Sequence, residues 1–362
     1  MKAVQLVAPG KLEVREIEEP KPAPDQVLLK VAAAGMCGSD LHIIHAPPVL
    51  FDPERGGFPL PLTLGHETTG HVVALGASAK GVAEGAGIAV GAAVMVSGIW
   101  GCGLCRACEQ GRVNACQYWA VRANVPRGPG LGFAGGMAEY MVVPAQQLFP
   151  LGDLDPVEAA PLADAGVTPC HAINLVRHAL TPDATVVVIG VGGLGHMALQ
   201  LLRATTSCRV IAVDNDPERL ASAPSYGADL TVRSDAQAAD EILALTRGLG
   251  AEVVLDFAGV EPTLKLGNRI VGVYGHWVIV GLGKGDFPIR TASPAQGGAP
   301  PWGVSVIRPY GATRSDSRQV IALAQQGRLK ASVERFALDD APAAFRKLEH
   351  GEIHGRAVLV PG

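Results

Sequence analysis

Near the middle of the chain, Val186-Val187-Val188-Ile189 runs into Gly190-Val191-Gly192-Gly193-Leu194-Gly195 and then into a helical segment at residues 196–204. A G-x-G-x-x-G turn between an apolar strand and a helix restricts the surrounding fold more than any other segment here, because it belongs inside a βαβ unit. Gly190 permits the tight turn, Gly192 removes a Cβ that would keep backbone amides from a pyrophosphate, and Gly195 lets the helix pack closely on the strand; Gly193 and Leu194 complete the loop. The phosphates would sit on the exposed N–H groups and positive end of the new helix. Nineteen residues past Gly195, a second apolar run at residues 209–213 ends in Asp214. A carboxylate there accepts hydrogen bonds from a ribose 2′-OH and repels a 2′-phosphate, so NAD is expected over NADP. Taken singly, the loop also suits a methyltransferase, and Asp214 also suits a strand-terminal turn.

The alternation of strand, loop and helix continues, with strand candidates at residues 230–232, 253–256 and 277–282. Such a rhythm predicts a parallel, doubly wound sheet. Upstream, short β-rich runs at residues 27–31, 71–75, 92–96 and 137–143 are punctuated by Gly and Pro, which reads as a strand-and-loop domain of barrel or roll type. Residues 157–180 are Ala-rich and read as helical. A helix at 316–326 and a strand at 356–360 are expected to return to the first domain. At 362 residues the chain exceeds what one core usually organises. The expected architecture is therefore α/β in two domains: residues 1–156 completed by 308–362, and residues 157–307 around the glycine loop.

Hydrophobic residues at 48% against 18% charged ones place the chain with ordered proteins. A net charge of -4 and the lack of a Lys/Arg block argue against nucleic acid or an anionic membrane surface as partner. The apolar runs fall well short of the roughly 18–20 residues of a spanning helix, and the first residues lack the apolar core of a secretory signal. A cytoplasmic location is expected.

Seven cysteines are present, and Cys102, Cys105, Cys108 and Cys116 fall within fifteen residues as C-x2-C-x2-C-x7-C. Four thiolates on a turning loop fill tetrahedral zinc and leave no position for substrate, which describes a structural site; an iron–sulfur cluster takes the same donors. Cys208 reads as a small buried residue, and Cys170 lies two residues after Thr168.

Cys37 lies in Gly35-Met36-Cys37-Gly38-Ser39-Asp40-Leu41-His42, and His66 in Leu64-Gly65-His66-Glu67-Thr68-Thr69-Gly70. Either alone has an ordinary structural explanation. Together, in this order with the four-cysteine loop, Gly136-Met137-Ala138-Glu139-Tyr140, the glycine loop and the segment Arg308-Pro309-Tyr310-Gly311-Ala312-Thr313-Arg314-Ser315, they resemble the zinc-containing medium-chain alcohol dehydrogenase family along essentially the whole chain. Within that family the chain is similar to bacterial NAD-dependent secondary-alcohol dehydrogenases whose third zinc ligand is an aspartate, for Asp164 in Ala163-Asp164-Ala165-Gly166 stands where better-known members have cysteine.

The resemblance implies a GroES-like catalytic domain beside a Rossmann domain, and two zinc ions per chain. It implies Cys37, His66 and Asp164 as ligands of a catalytic zinc, with the fourth position left to the alcohol. Glu67 would stand just behind the metal and approach it transiently, Asp40 would orient His66 through its second ring nitrogen, and Thr168 would lie near the nicotinamide. Ser39 would take the alcohol proton and pass it through the cofactor ribose to His42 and water, a role that suits imidazole near neutral pH, the alternative being an ordinary loop after a metal ligand. The implied activity is hydride transfer between NAD and a secondary alcohol or ketone with apolar or aryl substituents, by a homodimer or homotetramer; residues 303–307 form a strand that could pair between subunits. Polyol dehydrogenation on the same scaffold, a zinc-free quinone or enone reductase, and a non-enzymatic nucleotide-sensing or structural zinc module are the alternatives.

Between the two ligand motifs the chain inserts residues 46–58, a longer loop than the family resemblance leads one to expect. Either the loop is a plain surface insertion, or Leu50, Phe51 or Phe58 roofs the substrate cleft; Trp100, Trp119 and Trp302 are further wall candidates or ordinary core and interface residues.

Overall fold

A computed structural model describes residues 1–118, 127–288, 290–296 and 298–362. Trp119 lies outside the described residues. The chain forms two compact units, one of Met1–Val167 with Gly311–Gly362 and one of Thr168–Tyr310.

The first unit is built on a mixed sheet. Its spatial order is Leu148–Pro150, Ala93–Val96, Glu67–Leu75, Gln26–Gly35, Arg356–Val360 and Val333–Ala337, with Tyr140–Pro144 also paired to Gln26–Gly35. Val27, Leu29 and Val31 alternate inward on Gln26–Gly35 and pack with Val72, Val94, Val96, Met141 and Val143. Fully burying one such side chain stabilises the fold by about 1.5–3 kcal/mol. The C-terminal strand joins because Ala357, Val358 and Leu359 are themselves buried, and Val358 pairs antiparallel with Gly35.

The insertion folds into two short 3-10 turns, Pro48–Phe51 and Pro53–Arg55. Phe51 and Phe58 are buried with Ile43, Ile44, Leu62, Leu64 and Met137, and Leu50 is partly buried against them. Arg127 binds the Gly56 carbonyl and lies 6.0 Å above the Phe58 ring. These two rings are therefore core of the first unit, a different use from the roof expected of them, because apolar rings gain more from packing than from lining a wet opening.

Residues 157–180 are not one helix. They divide into Pro156–Ala159, Ala160–Ala163, Val167–Leu175 and Arg177–Ala179. The N–H of Asp164 and that of Gly166 both turn back to the Pro161 carbonyl, at 3.3 and 3.2 Å. Asp164 itself adopts φ -134°, ψ -59°, outside the helical region.

The second unit is a six-stranded, all-parallel sheet in the order Leu230–Arg233, Arg209–Asp214, Thr185–Ile189, Ala251–Asp256, Val271–Ile279, Ser305–Ile307. Thr185–Ile189 is buried along its length, as a strand covered on both faces must be. The order reverses between Thr185–Ile189 and Ala251–Asp256, the switch point outside which ligands bind in open α/β sheets. Val271–Ile279 begins earlier and ends sooner than residues 277–282, since Gly272 and Gly275 interrupt the apolar run that marks a strand in sequence.

Candidate metal centre and dinucleotide site

Among the described residues, two groups of Cys, His, Asp or Glu bring their donor atoms within 4.8 Å of one another: Cys37, His66, Glu67 and Asp164, and Cys102, Cys105, Cys108 and Cys116. Cys37 ends the segment that leaves Gln26–Gly35 and precedes the helix Gly38–Ile44. Asp40, in the first turn of that helix and fully buried, accepts the Cys37 N–H at 2.9 Å through Oδ2. Its other oxygen lies 3.2 Å from His66 Nδ1, in ion-pair contact though not aligned as a hydrogen bond. One carboxylate thus fixes both the Cys37 backbone and the imidazole, which turns Nε2 toward the cluster.

The His66 segment is held by the Gly136-Met137 backbone, with Gly136 N–H donating to Gly65 O and Met137 N–H to Leu64 O, each at 2.9 Å. The broken helix supplies the third donor. Asp164 Oδ2 lies 3.4 Å from Cys37 Sγ and 3.7 Å from His66 Nε2. Metal bonds of about 2.0–2.3 Å meeting at the tetrahedral angle leave donor atoms roughly 3.3–3.7 Å apart, so these edges fit zinc. His66 Nε2 is buried without a hydrogen-bond partner, a deficit that a metal bond removes. Burial alone would lower the His66 pKa, yet the Asp40 charge and contacts with Asp164, Asp40 and Cys37 hold it well above the ordinary imidazole range. The cluster favours a cation.

Glu67, fully buried, pairs with Arg356, itself buried at the start of the C-terminal strand. Burial pushes the Glu67 carboxyl up to about 7 against the opposing pull of Arg356. Glu67 stands in sequence beside a ligand motif, whereas Arg356 does not. A lone Arg before an apolar run carries no signal of where its side chain goes. Ser39 is half-buried with its Oγ 3.8 Å from Cys37 Sγ, and His42, three residues on along the same helix, is exposed.

In the second cluster, backbone N–H groups of Cys102, Cys105 and Gln117 point at the sulfurs of Cys116, Cys102 and Cys105, at 3.3, 3.4 and 3.3 Å. Such donors, from Cys108 and Gln117 foremost, lower the Cys105 thiol to about 6, whereas burial pushes Cys108 up to about 12. Four thiols this close cannot all ionise without a cation among them, and zinc fits the donor set.

In the second unit, Gly190 has φ +87° and ends Thr185–Ile189. A Cβ on Gly195 would overlap the Gly190 carbonyl, so the helix Gly195–Thr205 starts as close to the turn as a glycine allows. Gly192 differs. Among the described residues a Cβ there would meet only Arg219 Nη1, at 3.7 Å, so none of them demands glycine and the open side suits a pyrophosphate. Gly193 and Leu194 lead into the helix. Asp214 is buried, its Oδ2 accepting Val191 N–H at 2.7 Å and its Oδ1 accepting Asp216 N–H at 2.9 Å. It therefore fastens the glycine turn. Thr168 and Cys170 are buried in the helix Val167–Leu175, and Cys208 is buried with its sulfur 3.1 Å from Thr206 Oγ1. Trp100 is buried and stacks on Phe133 at 5.1 Å, while Trp302 is 65% exposed.

Residues 23–153 match the alcohol dehydrogenase GroES-like domain and residues 193–326 the zinc-binding dehydrogenase domain. An NAD-dependent alcohol dehydrogenase of Sulfurisphaera tokodaii is 35% identical over 372 residues, covering 100% of both chains. The crystal structure of the alcohol dehydrogenase from Aeropyrum pernix superposes with a TM-score of 0.87 at 33% identity, again over 100% of both chains. Acetophenone reductase from Geotrichum candidum in complex with NAD gives 0.82 at 28% identity over 99% of this chain and 96% of that one. With the donor geometry and the parallel sheet already in place, this chain belongs to the zinc-containing medium-chain alcohol dehydrogenase family. It is an oxidoreductase that uses NAD and zinc on a small-molecule alcohol. No described helix is long and apolar enough to cross a membrane.

Proposed function

We propose that the enzyme interconverts secondary alcohols and ketones bearing apolar or aryl substituents, with NAD, at a catalytic zinc held by Cys37, His66 and Asp164. The observation that carries this reading is the approach of Asp164 Oδ2 to Cys37 Sγ and His66 Nε2 at 3.4 and 3.7 Å. When bound, zinc supplies a Lewis acid that favours loss of the alcohol proton, and NAD supplies the hydride acceptor. Asp40 keeps His66 facing the cluster and raises its basicity. Ser39 takes the substrate hydroxyl proton at Oγ as it gives up its own hydroxyl proton toward His42, which lies on the same helix face three residues on and releases a proton to water. Asp214 binds the adenosine ribose and selects against a 2′-phosphate.

Cys102, Cys105, Cys108 and Cys116 hold a second, structural zinc, which brings the content to two per chain. A reducing cytoplasm would keep these thiols available. Ser305–Ile307 pairs on one side only within the sheet, and exposed Tyr274 and Trp302 lie near its start. A second copy adding to this edge would give a homodimer, the unit from which a homotetramer is built.

Purified enzyme assayed on 1-phenylethanol and sorbitol, each with NAD and NADP, tests the substrate class. Turnover of 1-phenylethanol with NAD is expected. Activity confined to sorbitol would make it a polyol dehydrogenase, and activity without zinc would place it with the zinc-free reductases.

A further inference from the structure

Asp256 ends the strand Ala251–Asp256 and is fully buried. Its Oδ1 accepts the N–H groups of Ala258 and Gly259, each at 2.9 Å. Its main-chain oxygen accepts those of Val280 and Gly281, at 2.8 and 3.1 Å. One residue thus fastens two loops, residues 257–260 after its own strand and residues 280–285 after the neighbouring strand Val271–Ile279. The loops lie flat on each other, for a Cβ on Gly281 would overlap the Ala258 main chain and one on Gly283 the Ala258 oxygen. They also border the glycine turn. Phe257 N–H donates to Ile189 O at 2.9 Å, and the Ala258 nitrogen is the nearest atom to a Cβ built on Gly190, at 3.5 Å.

A doubly wound sheet consists of two mononucleotide-binding halves, and a dinucleotide lies across the point where the strand order reverses. The half that contains Thr185–Ile189 and Arg209–Asp214 carries the glycine turn and Asp214, so it takes the pyrophosphate and the adenosine ribose. The half built on Ala251–Asp256 and Val271–Ile279 is left to the nicotinamide riboside. Its two loops leave apolar surface open, with Val260 37% and Leu282 51% exposed, and a flat ring can cover such surface. Loop backbone that meets a ligand must be held in place by groups behind it. We propose that Asp256 is a positioning residue for the nicotinamide half of the cofactor: through Oδ1 it sets residues 257–260, which in turn seat residues 280–285. The inference rests on the reading of the glycine turn and Asp214 as the seat of the adenosine half.

The test compares two ligands by calorimetric titration of the zinc-loaded enzyme: NADH, which spans both halves, and ADP-ribose, which lacks the nicotinamide. Asp256→Ala leaves two N–H groups without their acceptor and should weaken NADH by about tenfold or more, with ADP-ribose within about twofold of wild type. Asp256→Asn retains the Oδ1 acceptor and should recover most of the lost NADH affinity, a rescue that separates the acceptor role from mere occupancy of the space. Asp256→Ser, with one oxygen on a shorter stem, replaces the alanine variant if that one does not fold, and should show a smaller loss of the same kind. Gly283→Ala leaves Asp256 in place but wedges the loops apart, and should also weaken NADH more than ADP-ribose. Equal losses on both ligands, undiminished NADH binding in Asp256→Ala, or a loss in Asp256→Asn as deep as in Asp256→Ala overturns the proposal. ADP-ribose affinity that Asp214→Ala leaves at the wild-type level would instead overturn the placing of the adenosine half beneath it.

Discussion

Asp214, at the end of one strand of the parallel sheet, accepts the backbone N–H of Val191, inside the glycine turn of the neighbouring strand, at 2.7 Å. Its other oxygen takes the Asp216 N–H at 2.9 Å. In Asp214→Asn an amide NH2 must face one of these N–H groups, leaving a buried donor unmatched at about 1–3 kcal/mol. NADH fluorescence titration should show weaker binding, and the preference for NAD over NADP should narrow. Unchanged NADH affinity would remove Asp214 from both roles.

The chain should carry two zinc ions, and Asp164→Ala should carry about one, since the loss of a donor from a three-ligand site typically forfeits the metal. Metal analysis of the two proteins, with activity, is the check. Full zinc and full activity in the variant would refute the catalytic assignment.

His42→Ala should slow turnover near neutral pH by about 10–100-fold while zinc content stays at the wild-type level, because general acid–base assistance commonly contributes 100-fold or more. An exposed residue is also the one where added imidazole has access, and partial rescue by imidazole is expected. Undiminished activity at pH 7 would exclude the relay.

Burial is the main force raising the Asp256 carboxyl above its ordinary range, opposed by the N–H groups of Gly259 and Ala258 and by Thr263. A raised folded-state pKa means that this group's contribution to stability is complete below about 4, the unfolded value, and is lost as pH rises through the folded value. The N–H groups of Ala258 and Gly259 both donate to Oδ1 at 2.9 Å, and Asp256→Asn retains that oxygen. The variant should therefore gain on the wild type as pH rises from about 4 toward neutrality, in urea unfolding midpoints compared at each pH. A difference independent of pH would contradict the shift.

Phe58 is 7% exposed and packs in the core of the first unit. Phe58→Ala should destabilise that unit by about 3–5 kcal/mol, visible as a lower thermal midpoint. A midpoint within a degree of wild type would mean that the ring is not core.

The glycine turn, the alternation around it and the four-cysteine loop were legible in the sequence because each is local. A tight turn needs glycine at fixed offsets, and a metal loop needs thiolates a few residues apart. Strand limits were less legible where glycines dilute the apolar pattern, as in Val271–Ile279.

A dinucleotide turn, a thiolate loop and a family pattern naming Cys37, His66 and Asp164 can be read along the chain. That these three side chains meet, that Arg356 from the C-terminal strand pairs with Glu67 behind them, and that Phe51 and Phe58 pack in the core follows from folding alone. The reason is separation along the chain. Cys37 and Asp164 are 127 positions apart, and Arg356 and Glu67 289 apart. No periodicity or spacing rule operates over such distances; the contacts exist because buried strands and a broken helix bring them together.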